Sequence, residues 1–178
     1  YGSQDKIDAL KDAVNGFIDK VAEKSPNSNI AIVKFGGEIN NRIGNDKYWF
    51  STGLFSGEYI NHTQTVKALT PASNTTELNA AVDALWAGGY TPAHLGLQLA
   101  KGIIENDPNT DRQTVVVLFT DGEPNGVNYT DRFDTSAANS AISNSKAMKD
   151  NGNGATVYTI GCFGGTPGGN VTNYMNYV

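Results

Sequence analysis

Residues 114–125 read TVVVLFTDGEPN, and this stretch decides the fold. Its first half is an unbroken run of β-branched and large apolar side chains, which predicts a strand buried on both faces. The chain then turns sharply, because Gly122 tolerates a positive φ and Pro124 cannot continue a strand ladder. Asp121 is therefore expected at the carboxyl end of a central strand, where open α/β sheets bind their ligands. An Asp before Gly is also an ordinary turn residue, so both interpretations remain open at this point.

Around this stretch the chain alternates between helical and strand-like patterns. The alternation predicts an α/β fold with a doubly wound, mostly parallel sheet and helices on both faces. We expect one domain over residues 1–178, interrupted by an excursion at about 38–62. The predicted helices span residues 5–25, 75–86, 91 onward, 136–150 and 171–178, and the further strands span 29–35, 63–69 and 155–163.

Composition excludes several function classes. The formal net charge of -5 over 178 residues argues against binding of nucleic acid or of an anionic membrane surface. No apolar run is long enough for membrane insertion. The two histidines, His62 and His94, are too few for a histidine-based metal or catalytic cluster. The single cysteine, Cys162, is predicted to be a small core residue of the last strand.

The excursion contains Tyr48, Trp49 and Phe50 among glycine, asparagine and serine, without a clean period. We predict an irregular hairpin here. Its aromatic side chains either form an exposed binding surface or pack on the edge of the sheet, and the sequence favours neither interpretation.

Two motifs together carry a family resemblance. The sequence GGYTPAHLGLQLA, in which Thr91 is predicted to cap a helix and Pro92 to open it, precedes TVVVLFTDGEPN in the chain. This order resembles the von Willebrand factor type A domain. The helix IDALKDAVNGFIDKV and the strands IAIVKF and VYTIGCF are also similar to that family.

The resemblance implies a metal-ion-dependent adhesion site at the upper rim of the sheet. By motif position, Thr91 and Asp121 would be metal ligands. The cofactor would be a divalent cation, Mg²⁺ first, with Mn²⁺ or Ca²⁺ as alternatives, since such hard cations prefer oxygen ligands. Tyr90 and Glu123 join Tyr48, Trp49 and Phe50 as candidate ligand-binding residues.

The resemblance has one departure. The family builds its site from a further D-x-S-x-S motif that follows a first, central strand, and no segment of this chain supplies that motif. The sheet is therefore expected to be incomplete at its N-terminal end. The strand would come from an upstream segment or from another chain.

The first functional hypothesis is a non-enzymatic adhesion module on the cell surface, in the cell wall or on a pilus, as in Gram-positive surface proteins. It would engage a host protein or glycan, including extracellular matrix, through a ligand carboxylate on the cation. The alternative is an intracellular subunit of the same fold that works with an ATPase in assembly or metal insertion. A hydrolase that uses Asp121, Glu123, Asp131 and Asp134 is a third hypothesis, disfavoured because no histidine base or nucleophile motif accompanies them.

Overall fold

The computed structural model of the chain describes residues 3–37, 42–125, 132–150, 154–163 and 166–178. These residues form five helices and six strands, with four consecutive strands between the first two helices. The helices are α1 (Ser3–Lys24), α2 (Thr75–Asp83), α3 (Ala93–Glu105), α4 (Thr135–Asp150) and α5 (Gly169–Tyr177). The strands are β1 (Asn29–Lys34), β2 (Lys47–Gly53), β3 (Ser56–Asn61), β4 (Gln64–Pro71), β5 (Val115–Thr120) and β6 (Thr156–Gly161).

The chain divides into two compact units, of which the first comprises residues 1–34 and 65–88. Its helices α1 and α2 pack on each other, and β1 pairs with β4. The core centres on Ile18, Leu78 and Val82, with Ile30 and Ile32 of β1 packed against them. The apolar spacing predicted from the sequence for α1 and α2 therefore faces this core.

The second unit comprises residues 35–64 and 89–178 and holds the candidate site. Strands β5 and β6 pair in parallel, from Val115 opposite Thr156 to Thr120 opposite Gly161. A parallel pair needs a crossover connection, and α4 supplies it. The core of this unit combines side chains of α3, β5, α4, β6 and α5, among them Leu97, Leu118 and Met148.

Three predicted boundaries are wrong. Helix α2 ends at Asp83 rather than at Trp86, and Asn74, not a threonine, is its N-cap residue. Helix α3 begins at Ala93 with Pro92 as its N-cap, so Thr91 does not cap it.

The strands are also less buried than the sequence predicts. All residues of β1 are only half-buried, and β6 exposes Tyr158 and Ile160. Cys162 lies beyond the end of β6 and is exposed, so its predicted core position is wrong. The physical reason is that β5 and β6 form a sheet of two strands whose packed face meets the helices, while the opposite face keeps contact with solvent.

Among the described strands, β1 pairs only with β4 and β5 only with β6. The excursion does form a hairpin, since β2 and β3 pair in antiparallel fashion with an irregularity between Ser51 and Gly53. Among the described helices, none combines the length and apolar character that a membrane crossing requires.

Candidate functional site

Asp121 follows β5 directly and is exposed at its carboxyl end. The preceding residue, Thr120, is buried, and its hydroxyl accepts a hydrogen bond from the Gly122 amide at 3.4 Å. Gly122 does not adopt a positive φ, so that part of the turn prediction is wrong. At this bend the Thr120 hydroxyl contacts both the amide and the carbonyl of Gly122.

The segment that precedes α3 is tied to the segment that follows β5. The Thr91 amide donates to Oδ1 of Asn125 at 2.6 Å. The Asn125 amide donates in return to the Thr91 carbonyl at 3.1 Å. Asn125 is 8% exposed, so water screens these two bonds little. The reciprocal pair fixes the position of Thr91, which explains why Thr91 stands outside α3.

The Thr91 side chain packs against the turn that carries Asp121. A Cβ atom placed on Gly122 would lie 2.6 Å from Oγ1 of Thr91, closer than side chains tolerate. Only glycine therefore leaves room for the Thr91 hydroxyl at this point. The loops that carry the two predicted metal ligands therefore contact each other. The Thr91 hydroxyl lies against Gly122, which is the residue after Asp121.

The donor chemistry of this rim fits a hard divalent cation. Asp121 offers a carboxylate and Thr91 a hydroxyl, both oxygen donors of the kind that Mg²⁺ prefers. Within the described ranges, no group of three or more His, Cys, Asp or Glu side chains is arranged to hold a metal ion. Thr91 and Asp121 would hold such a cation, and Mg²⁺ usually keeps several waters beside its protein ligands.

Two of the residues proposed for a hydrolase, Glu123 and Asp134, are engaged in structural bonds. Oε2 of Glu123 accepts from the Phe133 amide at 2.9 Å. Asp134 is buried and caps α4, where its Oδ1 accepts from the amides of Ser136 and Ala137 at 2.8 and 3.0 Å. Asp131 lies outside the described residues. These contacts connect the turn after β5 to the start of α4.

Comparison with known families decides the classification. The model of the von Willebrand factor type A domain matches residues 2–176. This chain belongs to that family. The match confirms the family resemblance and the α/β fold inferred from GGYTPAHLGLQLA and TVVVLFTDGEPN.

A solved structure similar to this von Willebrand A domain is that of the pilus adhesin SpaC from Lactobacillus rhamnosus GG. The two share 17% sequence identity with a TM-score of 0.57 over 87% of this chain. The chain spans 22% of the length of SpaC. At this identity the likeness shows the fold. No curated protein matches this sequence.

Tyr90 holds a second loop of this von Willebrand A domain near the rim. Its amide donates to the Gly37 carbonyl at 2.6 Å, and the two residues form an isolated antiparallel bridge. Gly89 takes a φ of 85°, in the left-handed region that favours glycine, and packs against the Gly37 backbone. The Tyr90 side chain is half-buried.

Tyr48 and Trp49, which are adjacent in the sequence, lie on opposite faces of the hairpin. Tyr48 is only 7% exposed and contacts His62 with ring centroids 4.9 Å apart, so of the two interpretations the packed one describes this residue. Trp49 points the other way, is 50% exposed, and meets Tyr59 edge to face at 5.1 Å. Alternation along a strand is the physical reason. The Phe50 side chain lies outside the described residues.

The sequence interpretation missed the most exposed apolar residues of the hairpin. Leu54 and Phe55 form its turn and are 90% and 97% exposed. The signal available in the sequence was their position between two strand-like runs, since a hairpin turn faces solvent. Exposed apolar side chains at such a turn are a feature of interaction surfaces.

Proposed function

We propose that this von Willebrand A domain is a non-enzymatic adhesion module that engages a protein or glycan ligand through a divalent cation at the Thr91–Asp121 rim. The observation that carries the proposal is the contact between the Thr91 hydroxyl and Gly122, the residue next to Asp121. This contact supports the proposal because it sets the Thr91 hydroxyl beside the residue that follows Asp121.

The chemistry of adhesion follows from the small number of protein ligands. A cation held by two side chains from this chain keeps open coordination positions. A carboxylate of the ligand can occupy one of them and adds a charge-assisted interaction that neither partner makes alone. When bound, the cation supplies positive charge to an otherwise acidic protein, whose formal net charge is -5.

The hairpin offers an exposed apolar surface of its own. Trp49, Leu54, Phe55 and Tyr59 are all exposed in β2, β3 and their turn. Aromatic side chains of this kind bury large areas on binding. We infer that the hairpin contributes to ligand contact through these residues rather than through Tyr48.

A cell-surface location, in the cell wall or on a pilus, accords with this function. This location is supported by the similar fold of SpaC, which is a pilus adhesin. The ligand could accordingly be a component of a host surface, including extracellular matrix.

The direct test is a calorimetric Mg²⁺ titration of the protein and its Asp121→Ala variant. We expect the variant to lose Mg²⁺ affinity and keep its melting temperature, because an exposed carboxylate is removed without core volume. Asp111→Ala is the matched control, since Asp111 is also exposed and lies in a loop away from the rim. Equal Mg²⁺ affinity in the Asp121 and Asp111 variants would reject the cation assignment.

A further inference from the structure

An open groove of about 700 Å³ lies along the first turns of α3 and α4. We call it the α3–α4 groove. Its volume is within the range of small-ligand sites. The side chains that line it include His94 and Gln98 from α3 and Ser136, Asn139, Ser140 and Asn144 from α4.

Every side chain that lines the groove has a hydroxyl, amide or imidazole group, and none carries a formal charge. Helix α4 turns its alanines and Met148 toward the core. Ser136, Asn139 and Ser140 lie on the exposed side of the helix. Lys or Glu would keep that side in contact with water equally well, as charged residues do on exposed helix faces. Short hydroxyl and amide side chains also lose little rotamer freedom when a ligand orders them.

His94 belongs to this neutral set. Burial lowers the pKa of its imidazole, and the nearby Asp134 carboxylate only partly offsets that effect. The neutral ring is therefore the favoured form at pH 7. Its Nδ1 is sheltered from solvent and has no hydrogen-bond partner among the described residues. The His94 carbonyl accepts from Nδ2 of Asn144 at 3.1 Å, which holds the two helices together at the groove.

We propose that the α3–α4 groove binds a neutral carbohydrate, and that it does so without a metal ion. A charged ligand would find no opposite charge in the lining, and an apolar ligand would leave its hydroxyls and amides without hydrogen bonds. A ligand that fits this lining must instead both donate and accept hydrogen bonds through closely spaced groups. Sugar hydroxyls do both, as do the Ser, Asn and Gln side chains that face them.

The groove is separate from the Thr91–Asp121 rim in its chemistry. Neither Thr91 nor Asp121 lines it. Carbohydrate binding here should therefore persist in excess EDTA, which removes any cation from the rim. If the rim binds no cation, the groove can still bind carbohydrate. If the groove binds no carbohydrate, the rim can still bind a cation.

The probe is chitotriose, a neutral trisaccharide of N-acetylglucosamine, titrated in excess EDTA and followed by backbone amide shifts in NMR. We expect dissociation constants on the order of 1 mM, with shifts concentrated at residues 94–98 and 135–144. A Gly-Ser hexapeptide, titrated in parallel, should cause no comparable shifts.

The test variant is Gln98→Ala with Asn139→Ala, since both side chains are exposed and line the groove. Loss of two hydrogen-bonding groups should weaken chitotriose binding about tenfold. The control is Gln113→Ala with Asn173→Ala, which removes one exposed Gln and one exposed Asn elsewhere. Equal weakening in both variants would overturn the proposal, as would absence of sugar shifts, a requirement for Mg²⁺, or stronger binding of the peptide.

Discussion

Thr91 and Asn125 hold each other through two hydrogen bonds, from the Thr91 amide to Oδ1 of Asn125 at 2.6 Å and from the Asn125 amide to the Thr91 carbonyl at 3.1 Å. One residue precedes α3 and the other follows β5. These two hydrogen bonds therefore hold the loop that carries the Thr91 hydroxyl against the segment that follows Asp121.

The first prediction concerns the side-chain half of this pair. Asn125→Ala leaves the Thr91 amide without its acceptor, which should lower the free energy of unfolding by about 1–3 kcal/mol and weaken Mg²⁺ binding. Asn125→Asp retains an acceptor oxygen and should preserve more of both properties. Urea unfolding and Mg²⁺ calorimetry measure the two effects. Identical losses in the Ala and Asp variants would mean that the bond to Thr91 is unimportant.

The second prediction concerns the space between Gly122 and Thr91. In Gly122→Ala the new methyl group would lie 2.6 Å from Oγ1 of Thr91 and must displace that hydroxyl. We expect lower Mg²⁺ affinity and a destabilisation of about 1–3 kcal/mol, as for other overpacked sites. Gly102→Ala in α3 is the control, because no atom beyond its chain neighbours and the adjacent helix backbone lies within 4 Å of its added Cβ. That variant should be stabilised by roughly 0.5–1 kcal/mol through helix propensity. Unchanged Mg²⁺ affinity in Gly122→Ala would show that the hydroxyl is not a ligand.

The third prediction separates the two faces of the hairpin. Tyr48→Ala removes a buried ring and should cost roughly 3–5 kcal/mol of unfolding free energy. Trp49→Ala removes a half-exposed ring and its edge contact with Tyr59, at a cost of about 1 kcal/mol. Denaturant unfolding of both variants provides the comparison. If Trp49→Ala were the more destabilising change, the assignment of Trp49 to the exposed face would be wrong.

The fourth prediction is a pH dependence from His94. Its pKa in the folded protein is lowered by burial, so the unfolded chain binds the proton more readily. Stability is therefore fully present above the ordinary histidine pKa of about 6.5 and falls as the pH drops toward the lowered folded value. Melting temperatures between about pH 7.5 and pH 5.5 should decrease less for His94→Gln than for the unsubstituted protein. Parallel pH profiles for the two proteins would assign the dependence to other groups.

The fifth prediction concerns the strand edges. Since β1 and β5 each have one partner among the described strands, a further strand that carries the D-x-S-x-S motif should add main-chain hydrogen bonds and metal-ligating oxygens at once. We expect a peptide with that strand to raise the melting temperature and the Mg²⁺ affinity together. The same peptide with its Asp and Ser residues changed to Ala is the control, and it should raise only the melting temperature. Equal Mg²⁺ affinity with the motif peptide and with its Ala control would contradict this expectation.

The sequence by itself determined the elements and their order. The apolar run of β5, the helical spacing of α1 and α4, and the Asp at the end of a strand are local patterns, because backbone propensity and side-chain period act over a few residues. The motifs GGYTPAHLGLQLA and TVVVLFTDGEPN were sufficient to infer the von Willebrand A family, whose model matches residues 2–176. Thr91 and Asp121 could be singled out on the same basis.

Tertiary structure alone decided how those residues are held. Asn125 carries no sequence signal for its bond to Thr91, and the role of Gly122 depends on a hydroxyl contributed by a distant loop rather than on its own φ. The burial of Tyr48 and the exposure of Cys162 likewise depend on strand register and strand ends. Contacts between residues far apart in the chain arise only when the elements pack, and a one-residue change of register reverses which side of a strand faces the core.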